Sequence, residues 1–379
     1  MLNHNRAWAE VNLSHIAHNT QAIRGIVPAR TSVIAVVKAD AYGHGMIPVA
    51  RTVLENGADS LGVALCEEGM ALREAGITAP VLVMGATPEP MMRAGVRLEL
   101  TQSVFSAAGA RDLSSAAKQH NKRAQIHIKI DTGMGRLGFP PTPAGVDAIC
   151  EIARDPRLDV GGIFTHCATA DMPDNDFVHE QHSRFTRLLD ELKERGLDIP
   201  VKHMCNSAAT ARKHPGFFMD AVRVGIMLYG LLPSPEMAEI CRPLALKPAM
   251  GLFAQVTMVK ELPAGVGISY GHRFTTARPS RIAVISIGYA DGYPRRLTNI
   301  GRVMIRGRPA PIAGTVCMDQ CMADVTGIPG AAPGDTVALL GTTGESLCAD
   351  ALAGLLGTIN YEIVCGIGKR VPRVYTNEN

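Results

Sequence analysis

Short apolar runs alternate with helically spaced segments from about residue 30 to about residue 230. The runs are SVIAVVK (32–38), SLGVAL (60–65), PVLVMG (80–85), RLELTQ (97–102), AQIHIKID (124–131), VGGIFTH (160–166), VKHMCN (201–206) and AVRVGIM (221–227). Between two of them, Met46, Val49, Ala50, Val53 and Leu54 share one helical face ahead of Gly57, which reads as a C-cap. Phe185, Leu188, Leu189 and Leu192 do the same before Gly196. Eight apolar strands alternating with helices over about 200 residues predict an α/β fold, a (β/α)8 TIM barrel, in preference to a doubly wound open sheet.

The period changes after LYGLLPSPE. Pro233, Pro235, Pro243 and Pro248 mark a linker. FAQVTMVKEL, RIAVISIG, RVMIRG, APIAG and GDTVALLG follow, separated by Gly and Pro turns, and predict a smaller, mostly β domain. One helical segment, ESLCADALAGLL (345–356), falls near its end. The division expected is a barrel over residues 1–240 and a mostly β domain over 241–379.

A barrel of this kind gathers its site at the C-terminal ends of the strands, so the polar residues that end these runs are the candidates. Lys38 ends the first, Asp131 the fifth with Arg136 in the loop after it, and His166 the sixth. Asn206 and Ser207 end the seventh; Arg223 lies within the eighth, followed by Gly225 and Ile226. By alternation Lys38 shares a face with Ile34 and Val36. An ammonium aimed into an apolar barrel is costly unless paired or chemically used, and the lowered pKa that burial brings suits Schiff-base chemistry. The alternative is a lysine that snorkels past the strand end. Backbone N–H groups at Ser207, Gly225 and Ile226 suit a phosphate, although Ser207 also reads as a simple helix N-cap.

Two motifs are decoys. GMGRLG (133–138) matches a dinucleotide fingerprint, but FPPTP follows and forbids the helix that should carry the pyrophosphate. His179-Glu-Gln-His182 brings its second histidine one residue early for a zinc helix, and a solvated helix face is the expectation.

Composition narrows the partners. The net charge is +3, with mixed charges and no basic run, which disfavours nucleic acid. MLNHNRAWAE lacks the apolar core of a signal peptide, and no apolar stretch approaches a membrane span. Nine scattered cysteines without CxxC pairs predict reduced thiols, a cytoplasmic setting and no structural metal.

AVVKADAYGHG (35–45), DTGMGRLG (131–138), THCATAD (165–171), CNSAA (205–209), RVGIMLYG (223–230), SYG (269–271), GYADGYPRRL (288–297), CMDQ (317–320) and INYE (359–362) run in that order over the whole chain. In these motifs the chain resembles the alanine racemases, isomerases that interconvert L- and D-alanine on pyridoxal 5'-phosphate. The resemblance implies that Lys38 carries the cofactor as an aldimine and acts as one base, with Tyr270 the base for the opposite face. Tyr270 is then supplied by the other subunit of a homodimer. Arg223 faces the pyridine nitrogen, and Tyr42, Ser207, Gly225, Ile226 and Tyr361 hold the phosphate. Arg136 and the backbone N–H of Met318 take the substrate carboxylate. Lys129 matches a lysine that is carbamylated in some relatives. His166, His203 and Asp319 resemble supports of Tyr270 and Arg223, His203 reading equally as a core histidine, and Tyr289 lines the entrance. Thr315 stands where many relatives have a corridor arginine. D-Alanine would serve peptidoglycan synthesis, or the enzyme alanine catabolism.

Two other readings share the barrel and the lysine. A barrel-type amino-acid decarboxylase would be expected to put a carboxylate, not Arg223, at the pyridine nitrogen. A non-enzymatic pyridoxal phosphate carrier leaves residues 240–379 without a role.

Overall fold

The computed structural model describes residues 6–174, 176–214, 216–341 and 347–377. A first strand, β1 (Ala7–Asn12), precedes the barrel. The barrel strands are β2 (Ser32–Val36), β3 (Ser60–Val63), β4 (Val81–Val83), β5 (Thr101–Val104), β6 (Ala124–Lys129), β7 (Leu158–Phe164), β8 (Val201–His203) and β9 (Ala221–Val224). They pair in parallel and in sequence order, and β9 closes on β2 with Arg223 opposite Ile34. The expected (β/α)8 barrel is therefore present. That closure brings the first and last strands side by side, so Lys38 and Arg223 reach one rim.

Seven of the expected runs coincide with barrel strands; the fourth lies further along than expected. Arg97 ends the helix Glu89–Arg97, Glu99 turns the chain at φ +55°, and β5 begins only at Thr101. The aliphatic run 97–100 is split between helix end and turn, because Leu98 still donates to Ala94 in helical fashion. The helices Met46–Glu55 and Asp176–Glu194 bury the predicted faces.

The second sheet is built on β10 (Met250–Leu262), which pairs antiparallel with β1, with Ser280–Ile285 and with Thr336–Leu340. β1 also takes the strand Arg373–Thr376 in parallel. The two ends of the described chain are thus stitched into the mostly β domain, with Trp8 stacked 5.6 Å from Phe253. A division at residue 240 assigns β1 to the barrel; its hydrogen bonds lie with the second sheet, a pairing across 239–247 residues that no local pattern reveals. The late helix spans Ala349–Leu356, with Cys348 accepting from the Ala351 N–H; Glu345, Ser346 and the opening Met1–Asn5 lie outside the described residues. Among the described residues no helix is long and apolar enough to cross a membrane.

Candidate active site

A cavity of about 610 Å³ opens at the C-terminal ends of the barrel strands. It brings together Lys38, Tyr42, Lys129, Arg136, His166, Ser207, Arg223, Gly225, Ile226 and Tyr361. His203 lies directly behind Arg223. Tyr270, Met318, Asp319 and Tyr289 do not line it.

Lys38 follows the end of β2 and opens a tight turn. Ala39, Asp40, Ala41 and Tyr42 all have φ between +52° and +54°, a run of left-handed residues that L-amino acids rarely sustain. The turn is held from outside. Glu68 accepts from the Ala39 N–H at 2.6 Å, and Asp40 accepts from the Met46 N–H at 2.7 Å. Tyr42 packs on Tyr229, 4.8 Å between ring centres, and the Tyr229 hydroxyl donates to the Val36 carbonyl at 2.8 Å. Burial, then the nearby Arg136 cation, pushes the Lys38 amine below its usual value.

Arg223 is buried and anchored through two of its three nitrogens. One guanidinium nitrogen donates to His203 Nδ1 at 2.6 Å; the other donates to the Thr165 and Met204 carbonyls at 2.7 and 3.0 Å and approaches His166 Nδ1 at 3.3 Å. Among the described residues it has no carboxylate partner, so it is not one half of a structural salt bridge. Burial lowers its pKa to about 10, which leaves it charged. Phe164 lies flat against both Arg223 (5.1 Å) and the His203 ring (4.8 Å). His203 in turn bonds His127 at 2.9 Å. A β-bulge between Ile126 and His127 and the bare Gly162 make room for that ring: a Cβ on Gly162 would stand 2.5 Å from it. His127 is a further residue of the site; its signal in AQIHIKID is alternation, which puts it on the same face as Lys129. Burial, then the Arg223 cation, holds His166 and His203 well below 6.5. Both rings are neutral and serve as hydrogen-bonding groups.

Lys129 is the anomaly of the site. Its Nζ is buried and has no hydrogen-bond partner among the described residues, only the Phe164 ring at 4.8 Å. Burial, then Arg223 and Arg136, brings it down to about 6. Arg136 sits on a loop wound around Asp131, whose carboxylate accepts from the N–H groups of Gly133, Gly135 and Arg136 at 3.0–3.1 Å. That winding is the structural use of GMGRLG; the next helix begins only at Pro143.

The far end of the cavity suits a phosphate. Asn206, not Ser207, caps the helix Ser207–Arg212, accepting from the Ala209 N–H at 3.0 Å. Ser207 Oγ instead accepts from the Gly225 N–H at 3.0 Å. A Cβ on Gly225 would fall 2.5 Å from the Tyr42 hydroxyl, so only glycine lets these groups converge. Tyr361 stands 6.0 Å from Tyr42, ring centre to ring centre. Half-buried Lys38 and buried Arg223 on one cavity, with the Ser207 hydroxyl, the Gly225 N–H and the Tyr42 and Tyr361 hydroxyls gathered beside them, suit the aldehyde, ring nitrogen and phosphate of pyridoxal phosphate.

In the second domain Tyr270 is 74% exposed, Met318 52% and Tyr289 42%. Asp319 pairs with Arg370 at 2.7 Å, and Arg370 also reaches the buried Asp291, which Arg6 grips at 2.5 and 3.0 Å. Among the described residues Asp319 thus makes its bond to Arg370 and none to Tyr270 or Arg223 of its own chain. The Tyr289 and Ala290 N–H groups donate to the Cys317 and Met318 carbonyls at 3.0 Å, joining the two loops. His182 of the rejected zinc pattern stacks on Phe217 at 4.5 Å.

The chain matches the family models for the alanine racemase N-terminal domain over residues 11–233 and C-terminal domain over residues 249–375. It is 45% identical to an alanine racemase of Clostridium perfringens, over 98% of this chain and 96% of that one. It is 46% identical to one of Methanococcus maripaludis, over 97% and 98%. Its fold superposes on an alanine racemase of Clostridium difficile with a TM-score of 0.94 at 38% identity, covering 99% of this chain and 97% of that one. The enzyme of D-cycloserine-producing Streptomyces lavendulae gives 0.92 at 36%, over 99% and 98%. Both domain models, the full-length relatives and the fold agree: the chain belongs to the alanine racemase family.

Proposed function

We propose that this chain interconverts L- and D-alanine, with pyridoxal 5'-phosphate held on Lys38. Tyr42, Ser207, Gly225, Ile226 and Tyr361 would hold the phosphate and Arg223 the ring nitrogen. When bound, the group acidifies the substrate Cα–H by drawing electron density toward its ring.

The chain's own residues do the rest. Arg136 and the Met318 N–H hold the substrate carboxylate. The amine of Lys38, depressed by burial, exchanges a proton on one face of Cα; Tyr270 exchanges it on the other. Two bases on opposite faces need no swinging side chain. Arg223 would face the ring nitrogen with an N–H not spent on His203 or the carbonyls, and because it cannot give up a proton it would restrain electron withdrawal into the ring and limit transamination. His203 and His127 lock Arg223 in place, and Lys129 stands between the two arginines.

The exposure of Tyr270, outside its own chain's cavity, supports a homodimer in which each subunit completes the other's site. The nine free cysteines suit a cytoplasmic enzyme. The D-alanine formed would feed peptidoglycan synthesis, or the enzyme would open alanine to catabolism.

The observation that carries this reading is buried Arg223 with no carboxylate, on the same cavity as Lys38. The test is incubation of the holoenzyme with L-alanine in deuterated water, followed by chiral analysis and NMR. Deuterated D-alanine, lost in Lys38→Ala, is the expected result. Loss of carbon dioxide from a basic amino acid would favour a decarboxylase. Bound cofactor without turnover would favour a carrier.

A further inference from the structure

Tyr270 sits on a contorted turn: Ser269, Gly271 and His272 have φ of +64°, +71° and +46°. Its ring is exposed, so packing within its own domain does not place it. What places it is backbone, and that backbone is tied to residue 315 through the hydroxyls of Thr315 and Ser269. The Thr315 hydroxyl donates to the Tyr270 carbonyl at 2.9 Å, and the Ser269 hydroxyl donates back to the Thr315 carbonyl at 2.7 Å. The two bonds make a closed ring between residues 269–270 and residue 315.

Thr315 is itself fixed on both sides. The Gly314 N–H donates to Asn299 Oδ1 at 2.7 Å, and the Val316 N–H donates to Thr298 Oγ1 at 3.1 Å. Gly314, at φ +86°, lies so close to the Tyr270 segment that a Cβ would stand 2.7 Å from the Ile268 carbonyl. Cys317 Sγ adds a contact with Ser269 Oγ at 3.2 Å. Thr315 is only 1% exposed, so it faces no substrate path.

We propose that Thr315 is a positioning residue for Tyr270: its hydroxyl, closed in a ring with Ser269, sets the direction in which the tyrosine leaves its turn. This rests on the racemase reading for Tyr270. Here the position is built as an anchor under the base rather than as a charged corridor residue. A general base misplaced by a fraction of an ångström loses rate in the step it performs and not in the step performed by Lys38.

Thr315→Val keeps the shape and removes the donor; Thr315→Ser keeps the donor. In the holoenzyme, Thr315→Val should lower kcat about tenfold with KM little changed. Its α-deuterium isotope effect should rise for one alanine enantiomer and stay unchanged for the other, with Thr315→Ser close to the parent. Effects unchanged in both directions, or raised equally in both, would overturn the proposal. Amide hydrogen exchange gives a second reading that does not need turnover. Exchange at residues 270–272 should quicken about tenfold in Thr315→Val and not in Thr315→Ser, and unchanged exchange also overturns it. A parent enzyme that makes no D-alanine removes the racemase reading, and the exchange measurement still decides whether the ring holds the turn.

Discussion

Arg223 and His203 are joined by a 2.6 Å hydrogen bond in which only the guanidinium can be the donor. His203 must therefore accept at Nδ1 and carry its proton on Nε2, which fixes His127 as acceptor at Nδ1, 2.9 Å away. A protonated His203 cannot make the first bond. Burial, then the Arg223 cation, lowers His127 from 6.5 to about 4. Between those values the unfolded chain binds a proton that the folded chain refuses, so stability falls as pH falls across that window. Urea midpoints at pH 7, 6 and 5 should decline, and less steeply in His127→Gln. An equal decline in the variant would remove His127 from the account.

Lys129 gives a slope of the same sign in a higher pH window. Its amine falls from 10.5 to about 6, so between those values the unfolded chain holds the proton and stability rises with pH. In buffer free of carbon dioxide, Lys129→Met should be more stable at pH 7 by about 2 kcal/mol, the gain shrinking toward pH 10. A neutral, unpartnered amine between two arginines is also suited to form a carbamate. Labelled bicarbonate should give a carbamate carbon signal that Lys129→Met lacks. If Lys129→Met is less stable at both pH values in that buffer, Nζ has a partner that the geometry does not supply.

Arg223→Glu reverses the charge at the ring nitrogen. The carboxylate would also face the Thr165 and Met204 carbonyls, which Arg223 now satisfies. The variant should lose about 3 kcal/mol of stability or more, since a buried charge is left without its donors. Racemisation should fall, and pyruvate released per D-alanine formed should rise, because a ring that can be protonated at this position withdraws electrons more strongly. An unchanged ratio of pyruvate to D-alanine would detach Arg223 from reaction specificity.

Gly43 closes the left-handed turn after Lys38 at φ +82°, and a Cβ there would stand 2.3 Å from the Val364 carbonyl. Val364 belongs to the helix Asn360–Cys365, which carries Tyr361. Gly43→Ala should therefore cost about 3 kcal/mol and also push Tyr361 from Tyr42. Weaker cofactor retention in Gly43→Ala, measured by dialysis and absorbance, checks the coupling. Normal retention in a destabilised protein would confine the glycine to folding.

The features legible in the sequence were local. Eight apolar runs showed the barrel, and the polar residues at their ends or within them, Lys38, His166 and Arg223, follow from strand alternation and the polarity of the rim. What stayed hidden depends on distant segments meeting. β1 reads as a strand only once β10 and Arg373–Thr376 flank it. His127 gains its meaning from Gly162 on the next strand and His203 on the strand beyond it. Thr315 looked like the loss of a charge, and its hydroxyl bond to the Tyr270 carbonyl spans 45 residues. The fourth run misled because Leu98, half-buried at the helix end, and Leu100, buried after the turn, alternate with Arg97 and Glu99 as strand residues would.

Tyr270 lies outside the cavity of its own chain, so the shared-site reading makes a quantitative prediction. Lys38→Ala and Tyr270→Ala should each be inactive alone. When equal amounts are dissociated and reassociated, half of the dimers carry one copy of each. Every such mixed dimer has one site with both bases intact and one with neither. Activity should recover to about a quarter of the parent value, because one site in four is complete. If Lys38 worked with Tyr270 of the same chain, no mixing would build a complete site and activity would stay at zero. Recovery well above a quarter would require mixed dimers to form preferentially, which the subunit ratio in a native mass spectrum reads directly.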